Sequence, residues 1–249
     1  MIVDYRNCDA LEMIADLKSQ GIKMDIVITD PPYMIDYKSD KVKSVNRRKI
    51  FADTELHTKT IRKILYATEE IMTEPSALFM FSSWQKLEFF KEMMTEVSTL
   101  HSCIVWHKMN GGMGDLKRSF APSYEMLLYG TKGDIHLPFR QQDMVQFGRV
   151  TGSNKTFHPT QKPVDLLRWA ITSIKPMGQR WNVFDPFAGS GSTLVAGILE
   201  NCNVYGAEID PEYHKKGTDF IAKENKQLRL FNDNQLEIPG VNDDVSTEH

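Results

Sequence analysis

The chain has 249 residues, 41% hydrophobic and 25% charged, the make-up of an ordinary globular protein long enough to bury a sizeable core. No apolar run approaches the roughly 18 residues of a membrane span, and the opening Met1-Ile2-Val3-Asp4 lacks the basic and apolar regions of a signal peptide, so no membrane partner and a cytoplasmic location are expected. Cys8, Cys103 and Cys202 stand far apart with no Cys or His at ligand spacing, which argues against a disulfide framework and against a metal site.

Short β-branched runs predict seven strands, at 2–5, 25–29, 77–81, 103–107, 125–129, 181–184 and 203–207. Amphipathic stretches at 11–18, 58–72, 85–95, 163–174, 193–199 and 212–223 predict helices, several opened by Pro, Ser or Thr. Strands alternating with helices give an α/β fold, one seven-stranded sheet with helices on both faces. The 125–129 run follows 103–107 without a helical pattern between them, so that strand is expected to run antiparallel and the sheet to be mixed. Two stretches fit neither period: 34–57, and 131–157 with Gly133, Pro138, Gly148 and Gly152. Both exceed ordinary connections, which favours a functional role. Residues 1–223 then form one domain, with 131–157 as a compact insertion. Residues 224–249 form a tail that is acidic and expected to be disordered after 231.

The net charge of −3 is unevenly spread. The last 18 residues hold five acids and no Lys or Arg, which leaves 30 bases against 28 acids in residues 1–231, a balance of +2. Between Asp36 and Ile50, six bases (Lys38, Lys41, Lys43, Arg47, Arg48, Lys49) face two acids, a local charge of +4. A solvated loop is the plain reading of such a run. Its position directly behind the motif described next favours contact with phosphates.

That motif is Thr29-Asp30-Pro31-Pro32-Tyr33, at the end of the apolar run Asp25-Ile26-Val27-Ile28. Two prolines cannot continue a ladder, so they fix an extended bend behind the strand. In an open α/β sheet the carboxyl end of a strand faces the ligand crevice. The arrangement suits a poor nucleophile, an adenine amino nitrogen whose lone pair is delocalised into the ring. Asp30 and the Pro31 carbonyl can accept its two hydrogens, preorganised for the positive charge that develops as a methyl group arrives. Tyr33 offers a ring on which an extruded base can stack.

Val183-Phe184-Asp185-Pro186-Phe187-Ala188-Gly189-Ser190-Gly191-Ser192-Thr193 reads as strand, glycine turn and helix. Gly189 and Gly191 permit close backbone approach, and the helix that follows presents amide hydrogens. Glu208, 17 residues past Gly191 at the end of the next strand, can accept both ribose hydroxyls of a nucleoside. This pairing fits adenosylmethionine and a nicotinamide dinucleotide alike. His158-Pro159-Thr160-Gln161-Lys162-Pro163 opens the preceding helix, with Pro163 in its first turn.

Together these three motifs resemble the amino-methyltransferases of DNA, the N-4/N-6 DNA methylase family, in its permuted β group, where the catalytic motif precedes the cofactor motif. The likeness spans about residues 1–223. It implies a Rossmann-like methyltransferase fold, S-adenosyl-L-methionine as cofactor, DNA as partner and catalysis by Asp30, Pro31, Pro32 and Tyr33. By the same resemblance Asp9 contacts the cofactor's adenine, Glu208 its ribose, and Lys162, Asp185 and Phe187 border its methionine end, with Gly189, Gly191 and Thr193 in the turn. Asp at the head of the catalytic motif resembles the adenine-N6 enzymes, since cytosine-N4 members more often carry Ser. Residues 131–157 lie where the family keeps its target-recognition region. Base readout is then shared with the basic loop and with 110–122, so that Lys117, Arg118, Arg140 and Arg149 join the candidate DNA contacts. The expected activity is site-specific adenine methylation after base flipping, as in restriction-modification. The alternatives are cytosine-N4 methylation, methylation of a protein glutamine or an RNA base, and a non-catalytic DNA-binding factor. Gln227-Leu228-Arg229-Leu230-Phe231 resembles the pentapeptide with which replication proteins dock on the bacterial sliding clamp. The clamp and a second copy of the chain are thus further candidate partners.

Overall fold

A computed structural model of the chain describes residues 1–32, 54–109, 118, 120–150, 161–176 and 178–235, with side chains described except at 54–57 and 227–235. Tyr33, the basic loop with Lys38, Lys41, Lys43, Arg47, Arg48 and Lys49, Lys117, residues 151–160 and the end of the tail lie outside the described residues.

The elements follow in the order β1 (Val3–Arg6), α1 (Ala10–Ser19), β2 (Met24–Thr29), α2 (Thr54–Ile71), β3 (Met72–Ser82), α3 (Leu87–Val97), β4 (Thr99–His107), β5 (Tyr124–Lys132), β6 (Met144–Gln146), α4 (Val164–Thr172), β7 (Asn182–Asp185), α5 (Ser192–Leu199), β8 (Asn203–Ala207) and α6 (Pro211–Gln235). The strands form one sheet in the order β1-β8-β7-β2-β3-β5-β4-β6. β5 runs antiparallel to both of its neighbours, and every other pairing is parallel.

The α/β class, the mixed sheet and the antiparallel β5 agree with the reading of the sequence, and three details correct it. An eighth strand, β6, pairs with β4 inside the stretch taken as an insertion. Thr131 and Lys132 belong to β5, and the Trp106 indole donates to the Phe147 carbonyl at 2.8 Å, so the described part of the stretch that begins at residue 131 starts in the sheet and returns to it at β6. Finally, α6 continues past residue 223 to Gln235, so the pentapeptide at 227–231 lies on helical backbone.

Helices cover both faces. On one, α4 and α5 bury Leu166, Leu167, Ala170, Ile171 and Leu194 to Ala196 against Ile26, Ile28, Phe79, Phe81 and Val183. On the other, α1, α2 and α3 bury Met13, Ile14, Leu17, Ile61, Leu65, Phe90 and Met93 against Val27, Leu78, Met80 and Phe184. Strands apolar on both faces, such as 77–81, are the expected result of this three-layer packing. In α1 the buried positions Ala10, Met13, Ile14 and Leu17 recur at helical spacing, and the Asp9 side chain caps the helix by accepting from the Leu11 amide at 2.8 Å.

The sheet order places the ligand crevice. From β2 the chain crosses by α2 to β3 on one side, and from β7 it crosses by α5 to β8 on the other. β2 and β7 are adjacent, with Ile26 opposite Val183. The crossovers diverge there, and the carboxyl ends of two such strands are where an open α/β sheet takes its ligand. Asp30 and Asp185 stand at those two ends.

Candidate active site

On the β7 side, the chain leaves Asp185 through a tight turn into α5. Gly191 has a φ of 76°, and a Cβ there would stand 2.8 Å from Ile221 Cδ1. Glycine meets both demands, a left-handed backbone and a close approach to α6. The Glu208 carboxylate latches the turn, accepting from the Gly189 amide at 2.9 Å and from the Asp210 amide at 2.7 Å. From below, the Tyr5 hydroxyl donates to the Gly189 carbonyl at 2.7 Å, and its ring lies 4.5 Å from that of His214. Asn7 joins the ends of β1 and β8 by donating to the carbonyls of Glu208 and Ile209. Asp185 accepts from the Phe187 amide at 3.0 Å and the Thr193 hydroxyl at 2.6 Å.

Both acids of this half are hydrogen-bonded to amides and a hydroxyl. Burial pushes the Asp185 carboxyl up to about 7 against those two donors, with Asp30 and Glu208 repelling it further. Burial likewise raises Glu208, opposed by its two amide donors. Burial, Glu208 and Asp185 together keep the Tyr5 phenol neutral far above its usual range. A narrow glycine cradle flanked by one buried and one half-buried carboxyl suits a ligand that carries ribose hydroxyls and positive charge. Of the residues expected here, the structure brings together Asp185, Phe187, Gly189, Gly191, Thr193 and Glu208, with Asp9 exposed at the rim where α1 begins. Tyr5 and Asn7 are additions.

The β2 side is built on different chemistry. Asp30 ends the strand with Pro31 buried behind it and Pro32 exposed. Lys162, whose side chain is only 7% exposed, places its ammonium 2.7 Å from Asp30 Oδ2 and 2.9 Å from Glu125 Oε2. On its far side Glu125 receives Lys108 Nζ at 2.6 Å. Burial pushes the Lys162 ammonium down, but Asp30 and Glu125 more than offset it and hold it above its usual range. Burial would also raise Glu125, and Lys162 and Lys108 together keep it below the usual glutamate range. Lys162, expected at the methionine end of a cofactor, has its charge taken up by Asp30 and by Glu125. Neither Glu125 nor Lys108 was expected in the site.

The candidate DNA contacts separate. Arg118 is exposed in the β4–β5 connection, which leaves and re-enters the sheet at the crevice end, and Arg149 follows β6 at the same end. Exposed Phe120, Trp84 and Met109 share that end. Arg140 does not join them. Its neighbour Gln141 accepts from the Trp169 indole at 2.9 Å and donates to Ser173 at 3.2 Å, near the last turn of α4. α4 starts beside Lys162 under Asp30 and runs away from the crevice.

The same architecture occurs in solved DNA methyltransferases. The chain superposes on M1.HpyAVI in complex with SAM with a TM-score of 0.70 at 22% identity, covering 88% of this chain and 98% of that one. It superposes on the cytosine-N4-specific PvuII DNA methyltransferase with a TM-score of 0.67 at 14% identity, covering 91% and 92%. Among curated proteins it is 24% identical to the DNA adenine methyltransferase YhdJ of Escherichia coli K12, over 84% of this chain and 79% of that protein. It is 25% identical to the type II methyltransferase M2.DpnII of Streptococcus pneumoniae, over 88% and 89%. Residues 24–223, from the start of β2 into α6, match the DNA methylase family, and with β2, Asp30 and the glycine turn all inside that span the chain belongs to this family, whose cofactor is S-adenosyl-L-methionine.

Proposed function

We propose that the chain methylates the exocyclic amino group of adenine in DNA, at N6, at specific sites and on a base turned out of the duplex. The observation that carries this reading is Asp30, an acid at the carboxyl end of β2 whose buried partner Lys162 lies 2.7 Å away. When bound, S-adenosyl-L-methionine supplies a methyl group on a positively charged sulfur. The protein's part is to make the amino nitrogen attack along the line of that bond. Asp30 would accept a hydrogen bond from one amino hydrogen and the Pro31 carbonyl from the other, returning electron density to nitrogen. The nitrogen–carbon bond would form as the carbon–sulfur bond breaks with its electron pair left on sulfur, and the methylated nitrogen would give up one proton to water. Tyr33 provides the stacking surface for the extruded base. No covalent bond to the enzyme is required, because an amino nitrogen is itself the nucleophile. Glu208 would hold the ribose hydroxyls, and Asp185 would offer its carboxyl to the positive charge of the cofactor.

The adenine-specific name of one relative and Asp30 in place of Ser support N6. The fold shared with a cytosine-N4-specific enzyme makes N4 of cytosine the second reading. Sequencing that detects modified bases, run on DNA from cells expressing the protein, separates them. N6-methyladenine in a fixed sequence context is the expected result, and N4-methylcytosine alone would replace the proposal by its alternative.

A further inference from the structure

Asp30 and Glu125 belong to strands that are not neighbours. β3 lies between β2 and β5, which separates the two strands by about 9.5 Å. One ammonium spans that gap. Lys162 enters from the residues before α4, crosses β3 with its Nζ 4.7 Å from the centre of the Phe81 ring, and meets a carboxylate on each side. Phe81 is in turn wedged by Trp106 at 6.5 Å, and Lys108 lies 5.5 Å from that indole before it reaches Glu125. Charges of alternating sign, Asp30, Lys162, Glu125 and Lys108, therefore run from the catalytic acid across β3 and β5 to the exit of β4, with side chains 21%, 7%, 20% and 12% exposed.

We propose that Glu125 and Lys108 are positioning residues for methyl transfer, acting through Lys162 to hold Asp30 ionised and in one orientation. This rests on the reading of Asp30 as the acceptor for an amino group. An ammonium with one carboxylate partner could follow that partner as it rotates, and would give it all of its charge. Anchored by Glu125 it stays over Phe81, and only part of its field falls on Asp30, which keeps the acceptor strength the reaction needs. Lys108 does for Glu125 what Glu125 does for Lys162. A buried chain of this kind is sensitive to the loss of any one charge, because the remaining partner is left without compensation.

The experiment measures single-turnover transfer of labelled methyl groups into DNA, together with cofactor and DNA dissociation constants, for the wild type, Glu125→Gln, Glu125→Asp and Lys108→Met. Glu125→Gln keeps shape and removes charge. Its rate is expected to fall about 10- to 100-fold, the range found when the outer partner of an active-site ligand is lost, while both dissociation constants stay within about twofold. Glu125→Asp, which restores the charge, should recover part of the rate. The pH profile gives a second signature. Lys162 is faced by Asp30 from β2, Glu125 from β5 and the Phe81 ring from β3, with Lys108 behind Glu125 and Asp185 across from Asp30. Without Glu125, burial wins back part of the lysine's proton affinity, so the alkaline loss of rate moves to lower pH. A purely structural defect would lower the rate at every pH without moving that limb.

Lys108→Met tests the outer link and decides the matter if Glu125→Gln no longer binds cofactor. A loss of about threefold or more at unchanged cofactor affinity supports the proposal, and wild-type rates in these variants overturn it. If the wild-type protein itself transfers no methyl group to DNA, the functional reading fails; if it does and the variants match it, only the positioning role fails.

Discussion

The two halves of the crevice satisfy their buried and half-buried acids in opposite ways. On the β7 side, Asp185 and Glu208 are held by amides and a hydroxyl, and burial raises both. On the β2 side, Glu125 sits between two lysines and is lowered against burial, and Asp30 shares one of those lysines. Acids without a cation are prepared to receive one from a ligand. Glu125, already paired with two cations, is held in its charged form against burial, and Asp30 has one of those cations 2.7 Å away. Carboxylates on either side of the line between β7 and β2 thus meet opposite surroundings.

The largest effect should come from breaking the β2 side alone. Asp30→Ala is expected to lower methyl transfer by about 10²-fold or more, as the loss of a preorganised partner of developing charge usually does. Cofactor affinity measured by calorimetry should stay near wild type, because the turn at Gly189 and Gly191 is built without Asp30. Equal losses of cofactor binding and turnover would show that the halves are not separable.

Breaking the β7 side calls for a different substitution. Gly191→Ala places a methyl 2.8 Å from Ile221 Cδ1 on a left-handed backbone. The backbone preference alone costs about 1–2 kcal/mol, and displacing Ile221 adds to it, so a loss of about 2–3 kcal/mol in denaturant unfolding is expected. A change below about 0.5 kcal/mol would mean that the turn relaxes freely.

Acidity sharpens the contrast. Burial pushes the Asp185 carboxyl up to about 7 from an ordinary value of 3.8. A cationic ligand favours its ionised form, so below neutrality binding must first release a proton. Cofactor affinity should therefore fall by up to about tenfold per pH unit below pH 7 and level off above it. Stability runs the other way. The unfolded carboxyl ionises first, so this group penalises the folded state progressively from about pH 4 to about pH 7, by roughly 4 kcal/mol in all. Asp185→Asn should flatten both dependences, as read by calorimetry and by thermal melting across that range. No pH dependence of cofactor affinity in the wild type would place the positive end of the ligand elsewhere.

The two halves also differ in how far the sequence exposes them. The glycine turn, Asp185, Thr193 and Glu208 lie within 24 residues of one another along the chain, and local spacing suffices to group them. Asp30 announces itself through the two prolines behind it. Glu125 and Lys108 reach the site only because β5 lies one strand beyond β3 and Lys162 crosses between them. Period-two reading cannot find Glu125, since Met126 and Leu128 on one face of β5 are as apolar as Leu127 and Tyr129 on the other. One signal was present: an acid at the head of an otherwise apolar strand, and a lysine directly after the run Ile104-Val105-Trp106-His107. β6 escaped notice for a simpler reason, as three residues are too few to show alternation. Tyr5 reads as a strand residue until α6 packs against it.

Arginines give the smallest expected effect and the cleanest comparison of position, because sequence alone ranked Arg118 and Arg140 together. Arg118 lies in the connection that opens onto the crevice, whereas Arg140 sits beside the Gln141 contacts near the last turn of α4. Each phosphate contact adds about 0.9 to the slope of log affinity against log salt. Arg118→Ala should reduce that slope by about this amount and weaken DNA binding about equally on every sequence, the mark of a backbone contact. Arg140→Ala should leave slope and affinity unchanged. Titrations of labelled duplex at several salt concentrations decide it, and equal losses in the two variants would mean that DNA wraps past the end of α4, well beyond the cleft where Asp30 acts.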